Sequence, residues 1–348
     1  MNAKRWNIIV IVGTAAVFLL LAAATVVIDP FLHYHAPLSF LEYPLKDERY
    51  VNDGIARHYQ YDSIITGTSM SQNFKCSEFD ALFGAQSVKI AYSGATYHEL
   101  NEALRRAVSY QEKVRYVVCS LDGSRLIAPA WEDEYEGYPD YLYDENPFND
   151  VNYLLNKEVA TKTLAVLNYT RTGEVTPDRD AYGSWSQHKI FGAESVLSSF
   201  ILLPVSEREV ALTEQDREMI TENISENFLV TAKANPETEF YLFYPPYSIC
   251  YWQALVRTKQ LGAQLEAQEI AARLLMEAEN VHVFDFSDRL DIIANLDNYT
   301  DTMHYGDWIN SEILECINAG RQELTADTLK SYYSDIRRMY EEYEYSTY

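Results

Sequence analysis

Short apolar runs that alternate with helical patterns constrain the fold of this chain more than any other feature. Runs rich in β-branched or aromatic residues are typical of buried strands, and five of them occur, at residues 62–67, 87–93, 114–121, 239–246 and 281–287. Helical patterns at 98–112 and 252–280 separate the second run from the third and the fourth from the fifth. The alternation predicts an α/β fold, a three-layer α/β/α sandwich around a mainly parallel five-stranded sheet. Ligands bind such sheets beyond the carboxyl ends of the strands.

A long stretch at about residues 125–235 interrupts this alternation. Its acidic, aromatic beginning contains Pro and Gly and predicts a loop, and helical patterns follow at 151–169 and 213–235. We interpret the stretch as an insertion between the third and fourth strands. It forms either a lid or substrate wall, or a helical cover with no role in substrate binding.

The N-terminus carries an apolar segment long enough to cross a membrane. Lys4 and Arg5 precede 22 uncharged residues, 7–28, and at about 1.5 Å per residue such a helix crosses a hydrocarbon core of about 30 Å. Positive charge before the span and an acidic chain after it place the N-terminus in the cytoplasm. We expect a single-pass membrane anchor with the bulk of the chain outside. The alternative is a secreted protein whose signal peptide is cleaved at the Ala-x-Ala-like site in residues 21–27.

The expected organisation follows from these segments. It consists of an anchor or signal peptide (1–28), an extracytoplasmic lead-in (29–59), an α/β domain (60–322) with the insertion at about 125–235, and a C-terminal helix with an acidic, tyrosine-rich tail (323–348).

Charge and cysteine usage exclude some functions. The formal net charge of −24 leaves no basic surface for phosphates, so nucleic acid is excluded as a partner. The four cysteines show no paired or metal-ligand spacing, and we expect buried free thiols rather than two disulfides. The 28 tyrosines offer flat amphipathic area for sugar rings or proteins, or pack with a wet hydroxyl.

The segment IITGTSMSQNF, residues 64–74, places Gly-Thr-Ser directly after the first strand-like run. A serine in a loop between a strand and a helix gains backbone N–H groups from the loop and the helix start. It attacks acyl groups only when a base removes its proton and dipoles hold the resulting oxyanion. Gly-x-Ser turns are common, so this segment alone fits either a nucleophile at Ser69 or an ordinary turn.

A base for Ser69 must be one of seven histidines. Asp301 precedes His304 by three residues in a polar loop after the fifth run, a spacing that lets the carboxylate meet one ring nitrogen while the other faces outward. The alternative is a helix-start cluster with Asp301 as the cap and His304 idle. His98 opens the helix after the second strand and could line the site. His188 lies in the insertion without a visible acidic partner.

Taken together, these blocks resemble the SGNH (GDSL-type) esterase and acyltransferase superfamily. The resemblance rests on Gly-x-Ser after the first strand, a glycine loop after the second and Asp-x-x-His after the last. It covers about residues 60–322 apart from the insertion, and it implies a flavodoxin-like fold. It also implies that Ser69 is the nucleophile, His304 the general base and Asp301 its orienter, and that the N–H groups of Ser69 and Gly94 form the oxyanion hole.

The N-terminal anchor and the segment IDPFLHYHAPL, residues 28–38, are similar to the membrane-anchored bacterial branch of that superfamily. This branch includes the D-alanyl-transfer proteins of the teichoic-acid pathway and the alginate-type O-acetyltransferases. The resemblance implies a serine esterase or O-acyltransferase that acts on cell-envelope glycans or teichoic-acid-like polymers. It implies no cofactor and no metal, and a membrane acyltransferase or acyl carrier as a partner. The alternative is a binding or assembly partner in polymer modification with weak or no catalytic activity.

The chain departs from the family pattern at two positions. Thr68 fills the middle of the first block, where aspartate is frequent, and Asp122 stands where the family usually offers an asparagine oxyanion donor. An ionised carboxylate cannot donate a hydrogen bond, so either Asp122 is protonated, or another donor acts, or the oxyanion hole is weaker. We expect Thr68, Asp122 and Tyr247, with His98, to line the site. A metal held by the Asp-x-x-His pair is disfavoured because no third ligand is visible.

Overall fold

The computed structural model of the protein describes residues 3–132, 139–144 and 146–345. Part of the predicted acidic loop and the end of the predicted tail therefore lie outside the described residues. The strands are β1 (Ser63–Gly67), β2 (Ser87–Ala91), β3 (Tyr116–Ser120), β4 (Glu239–Tyr244) and β5 (Val281–Asp285). The helices are α1 (Ala3–Ile28), α2 (Glu48–His58), α3 (Cys76–Phe83), α4 (Tyr97–Ser109), α5 (Val151–Leu154), α6 (Lys157–Thr172), α7 (Ala193–Ser199), α8 (Glu214–Ile224), α9 (Val230–Ala234), α10 (Ile249–Arg257), α11 (Leu261–Leu275), α12 (Leu290–Ile293), α13 (Asp307–Asn318) and α14 (Leu329–Glu342).

The five strands form one parallel sheet in the order β2-β1-β3-β4-β5. Every residue of β1 and β2 is buried. Because successive side chains in a strand point to opposite faces, both faces of these strands are covered. The predicted α/β class with a parallel five-stranded sheet is confirmed. The strand order belongs to a doubly wound sheet whose switch point lies between β1 and β3.

The chain divides into two compact units. The first combines the described parts of residues 1–59 and 135–178 and is helical, with α5 and α6 packed against α1. The second combines residues 60–134 and 179–348 and contains the sheet. The stretch expected as one insertion at 125–235 is thus shared between the units, because α5 and α6 pack with the N-terminal helix.

Helix α1 runs without a break for 26 residues and is long and apolar enough to cross a membrane. Its apolar side chains are largely exposed, Leu19 and Leu20 among them. A signal sequence has the same length and composition, so an anchor and a cleaved signal both remain compatible with this helix.

The turn that follows α1 is organised by the buried carboxylate of Asp29. It accepts hydrogen bonds from the backbone N–H groups of His33, Tyr34 and His35, at 2.7–3.0 Å. The hydroxyl of Tyr153 in α5 donates to the same carboxylate at 2.7 Å. A buried carboxylate needs such donors, so one residue at the end of α1 fastens the lead-in segment.

The stretch 252–280, expected to be helical throughout, is two helices, α10 and α11. Lys259 between them adopts the left-handed conformation, with φ of 59°, which an α-helix cannot continue through. The helix expected at 98–112 is α4, which ends three residues earlier. In the C-terminal segment α14 packs against α10 and α11 of the same unit, and Tyr340 stacks on Trp252 with ring centroids 4.3 Å apart.

Candidate active site

Ser69 lies in a tight loop at the carboxyl end of β1. The loop requires glycine at position 67, where φ is +127° and an added Cβ would come within 2.4 Å of the Ser71 hydroxyl and 2.5 Å of the Ser120 hydroxyl. The buried Asn310 of α13 donates to the Met70 carbonyl at 2.9 Å. Close packing against β3 and α13 therefore fixes the backbone of this loop and leaves the Ser69 side chain half-buried.

The structure brings Ser69, His304 and Asp301 together in one hydrogen-bonded array. Ser69 Oγ lies 2.9 Å from His304 Nε2, and Asp301 Oδ2 lies 2.8 Å from His304 Nδ1. A carboxylate beside Nδ1 selects the tautomer with hydrogen on that nitrogen, which leaves Nε2 free to accept the serine proton. The array can therefore pass a proton from the serine hydroxyl to the imidazole while the carboxylate stabilises the resulting imidazolium.

Asp301 also shapes the loop that carries His304. Its Oδ1 accepts hydrogen bonds from the N–H groups of Met303 and His304, both at 2.9 Å. Burial alone would raise the pKa of Asp301. The hydrogen bond and charge of His304, together with these N–H groups, outweigh the effect of burial, so the pKa of Asp301 lies below its usual range. Asp301 is thus held ionised beside the imidazole.

Two backbone N–H groups are unpaired, as the donors of an oxyanion hole must be. Within the described residues, neither the Ser69 N–H nor the Gly94 N–H donates a hydrogen bond to the protein. Gly94 has φ of 64°, a left-handed conformation that favours glycine. Its carbonyl accepts a hydrogen bond from the Arg125 guanidinium at 2.9 Å, which anchors the glycine loop and leaves its N–H available.

Thr68, Asp122 and Tyr247 form a second, fully buried network beside the array. The Thr68 hydroxyl donates to Asp122 Oδ2 at 2.6 Å and the Tyr247 hydroxyl donates to Oδ1 at 2.5 Å. Burial raises the pKa of Asp122, and these two hydrogen bonds offset the rise only in part. Both carboxyl oxygens accept from hydroxyls, so Asp122 acts as an acceptor and not as the oxyanion donor that its position in the third block would suggest.

Two further histidines, His98 and His188, are candidates for the site. The His98 ring lies edge-on to Trp131, with ring centroids 5.3 Å apart. His188 is exposed at the end of a short helical turn. That His98 lines the same site as Thr68, Asp122 and Tyr247 stays a prediction. Its place at the start of α4 directs it toward Trp131.

Trp185 is a site residue that the sequence did not reveal. Its indole N–H donates to the Ser69 carbonyl at 3.1 Å, and its ring lies perpendicular to the His304 ring with centroids 5.4 Å apart. Asn73 Oδ1 accepts hydrogen bonds from the N–H groups of Trp185 and Ser186, at 3.0 and 3.1 Å. The only sequence signal was a tryptophan in the Gly-bounded segment GSWSQHKIFG, residues 183–192.

All four cysteines are free and buried. In the described part of the chain no group of three His, Cys, Asp or Glu side chains is arranged to hold a metal ion. The chain matches no protein-family model, and no curated protein matches it. The chemistry of this site therefore has to be argued from its own geometry.

Proposed function

We propose that the protein is a membrane-anchored, extracytoplasmic serine esterase or O-acyltransferase of the SGNH type that acts on acyl groups of cell-envelope glycans or teichoic-acid-like polymers. The observation that carries the proposal is the Ser69–His304–Asp301 array, with 2.9 Å between Ser69 Oγ and His304 Nε2 and 2.8 Å between His304 Nδ1 and Asp301 Oδ2. Such a chain of hydroxyl, imidazole and carboxylate is the arrangement that activates serine for acyl transfer.

The proposed reaction uses each group in turn. Ser69 Oγ attacks the acyl carbonyl carbon while its proton passes to His304 Nε2. The tetrahedral oxyanion accepts hydrogen bonds from the N–H groups of Ser69 and Gly94. His304 then gives the proton to the departing alkoxide, which leaves the acyl group on Ser69. Water, or a sugar hydroxyl, loses its proton to His304 and attacks the acyl-serine carbonyl carbon. The bond to Ser69 Oγ then breaks, His304 returns the proton to Ser69 Oγ, and the acid or the transferred ester leaves.

The fold supports the same proposal. Ser69 follows β1 and Gly94 follows β2, so both emerge at the carboxyl edge of neighbouring parallel strands, where such sheets bind ligands. The strand order β2-β1-β3-β4-β5 is that expected of the flavodoxin-like SGNH fold. The apolar α1 supports anchoring to the cell membrane with the sheet unit outside.

A serine-directed probe tests the proposal directly. Full-length protein in detergent micelles should release p-nitrophenol from p-nitrophenyl acetate and form a fluorophosphonate adduct that peptide mass spectrometry maps to Ser69. Ser69→Ala should abolish both, whereas Ser198→Ala, a change at an exposed helix serine, should retain both. Absence of the adduct together with unchanged turnover in Ser69→Ala would refute the enzyme proposal.

The second candidate is a non-catalytic partner in envelope assembly, and Asp122 favours it. The carboxylate occupies the position of a third oxyanion donor yet only accepts hydrogen bonds, and loss of one donor typically costs about 100- to 1000-fold in rate. If a Ser69→Ala gene fully rescues a deletion strain, the binding role is correct. If only the wild-type gene rescues it, the protein acts as an enzyme.

A further inference from the structure

The sheet unit contains a cavity of about 590 Å³ whose walls come from α4, from α9 and from the π-helical turn Ser225–Leu229 that precedes α9. This volume lies within the range of about 300–1,000 Å³ for clefts that hold small ligands. Trp131 stands at one end of it. We call this cavity the Trp131 groove.

The groove follows α4, from Asn101 to the residues that come after the helix. Trp131 contacts His98 in the first turn of α4, and α4 begins directly after the Gly94 loop. At the other end, Val114 and Thr238 line the groove, and these residues precede β3 and β4. Helix α4 has 13 residues and is therefore about 20 Å long, enough to accompany several sugar rings of a polymer.

Trp131 is exposed, and the backbone that precedes it is held by buried amides. Its side chain is 63% exposed, whereas the preceding carbonyl of Ala130 accepts a hydrogen bond from the buried Asn227 amide at 2.9 Å. The Asn227 amide also donates to Asn223 Oδ1 at 2.8 Å, and the Asn223 amide donates to the Arg125 carbonyl at 2.9 Å. These buried amides fix the segment that presents Trp131. An exposed indole on an anchored backbone offers a flat apolar face, and a tryptophan side chain has few rotatable bonds to order on binding.

The charges of the groove disfavour a polyanion. Its walls carry three carboxylates, Glu112, Glu226 and Glu237, against the cations Arg105 and Lys113. Lys113 pairs with Glu237 at 3.4 Å, and Arg105 pairs with Glu102 at 3.2 Å. The whole chain carries −24 charges, so a phosphate polymer would be repelled at long range as well.

From these observations we infer that the Trp131 groove binds a neutral oligosaccharide segment of the substrate polymer. One sugar ring stacks on the Trp131 indole, and the sugar hydroxyls meet the polar side chains of the walls. The link between the groove and the Ser69 site, in which a bound polymer presents its acyl groups to Ser69, rests on the proposed function. Sugar binding itself does not require Ser69 chemistry. The inference narrows the substrate class to a neutral glycan rather than an anionic teichoic-acid-like chain.

The test measures binding in full-length Ser69→Ala protein in detergent micelles, so that turnover plays no part. The probes are neutral tetrasaccharides of glucose, mannose, galactose or N-acetylglucosamine, with poly(glycerol phosphate) as the anionic probe, followed by saturation-transfer NMR and titration calorimetry. Trp131→Ala should weaken binding about tenfold or more, and Trp131→Phe, which keeps a stacking face, should stay within about threefold of the parent. Val230→Arg, which adds bulk on the groove wall, should weaken binding as well.

Phe148→Ala is the matched control, since Phe148 is an exposed aromatic residue outside the groove, and it should bind like the parent. The inference is overturned if every tetrasaccharide binds more weakly than about 10 mM. It is also overturned if Trp131→Ala binds like the parent, or if poly(glycerol phosphate) binds more tightly than the tetrasaccharides. Ester turnover by wild-type protein with no sugar binding would refute only the groove. Sugar binding, with no Ser69 adduct on wild-type protein and unchanged turnover in Ser69→Ala, would refute only the proposed enzyme.

Discussion

Asp301 and Asp122 are two carboxylates on the same sheet unit with opposite surroundings. Asp301 is part-buried and faces an imidazole and two N–H groups, all of which favour the charged form. Asp122 is 5% exposed and receives two hydroxyl groups. The pKa of Asp301 is lowered below its ordinary value, and the pKa of Asp122 is raised by burial.

The difference shows that burial and the type of donor decide the role of each carboxylate. In the proposed reaction His304 gains a proton, and the ion pair with His304 then suits Asp301 to stabilise the charge. Asp122 receives only neutral hydroxyl donors, which suits it to hold Thr68 and Tyr247 in place. Thr68 directly precedes Ser69, the proposed nucleophile. The Ser69–His304–Asp301 array is thus suited to moving a proton, whereas the Thr68–Asp122–Tyr247 network is suited to holding side chains in place.

Replacing Asp301 should have the largest effect, because it removes the charge from the first network. Asp301→Asn should lower kcat for p-nitrophenyl acetate about 10⁴-fold, since the amide no longer selects the Nδ1–H tautomer or stabilises the imidazolium. Asp297→Asn, a change at an exposed aspartate in the preceding segment, should retain wild-type kcat. Comparable kcat values for the two variants would contradict the assigned role of Asp301.

Replacing Asp122 should damage the fixed network. Asp122→Ala leaves the buried hydroxyls of Thr68 and Tyr247 without their acceptor, and each such loss costs about 1–3 kcal/mol. We expect the free energy of unfolding in urea to fall by about 4 kcal/mol in total. Asp122→Asn keeps an oxygen acceptor, and both hydroxyls can rotate, so its loss should be less than half as large. If Asp122→Ala unfolds at the same urea concentration as wild type, the network contributes nothing to stability.

A third carboxylate, Asp285 at the end of β5, extends the comparison to pH. Burial raises the pKa of Asp285 to about 6, although the Ser287 N–H and the Tyr333 hydroxyl, which both donate to its carboxylate, partly offset the rise. The folded protein therefore keeps this proton up to about pH 6, whereas an unfolded aspartate releases it near pH 4. Stability should fall as the pH rises between these values, by up to about 3 kcal/mol.

Urea unfolding at a series of pH values checks this expectation. Asp285→Asn should flatten the profile between about pH 4 and 6, whereas Asp327→Asn, at an exposed position, should leave it unchanged. Asp301 contributes in the opposite direction. Its lowered pKa adds stability above the unfolded value and loses it as the pH falls through the folded value. Identical profiles for wild type and Asp285→Asn would contradict the raised pKa of Asp285.

Trp185 should give the smallest effect. Trp185→Phe removes the indole donor to the Ser69 carbonyl but keeps an aromatic ring beside His304, so we expect a loss of about 1 kcal/mol in stability and a modest decrease in kcat. Trp308→Phe is the matched control. The indole N–H of Trp308 donates to Asn298 at 3.0 Å and not to the loop that carries Ser69. Equal kcat values for the two variants would show that the bond to Ser69 has no influence on the site.

Much of the fold could be predicted because apolar periodicity is a local signal. All five strands lie within the predicted runs, since buried parallel strands need continuous apolar sequence. The break at Lys259 and the division of the 125–235 stretch could not be predicted, because both depend on packing partners far away in the chain. The contact between His98 and Trp131 could not be predicted for the same reason, since the two residues lie more than thirty positions apart in the chain.

The sequence by itself determined the α/β class and the apolar N-terminal helix, because apolar periodicity is a local signal that each segment carries. It also brought Asp301 and His304 within one short segment but left open whether the two side chains pair. Only the tertiary structure decided that His304 meets Ser69, whose Oγ lies 2.9 Å away across 235 residues of chain. It also decided that Asp122 accepts hydrogen bonds from Thr68 and Tyr247 and that Trp185 joins the site. Those contacts form at one edge of the sheet, where strands from distant parts of the sequence end. The hydrogen-bond donors and the burial of each side chain there come from residues far apart in the chain, so no local sequence pattern predicts them.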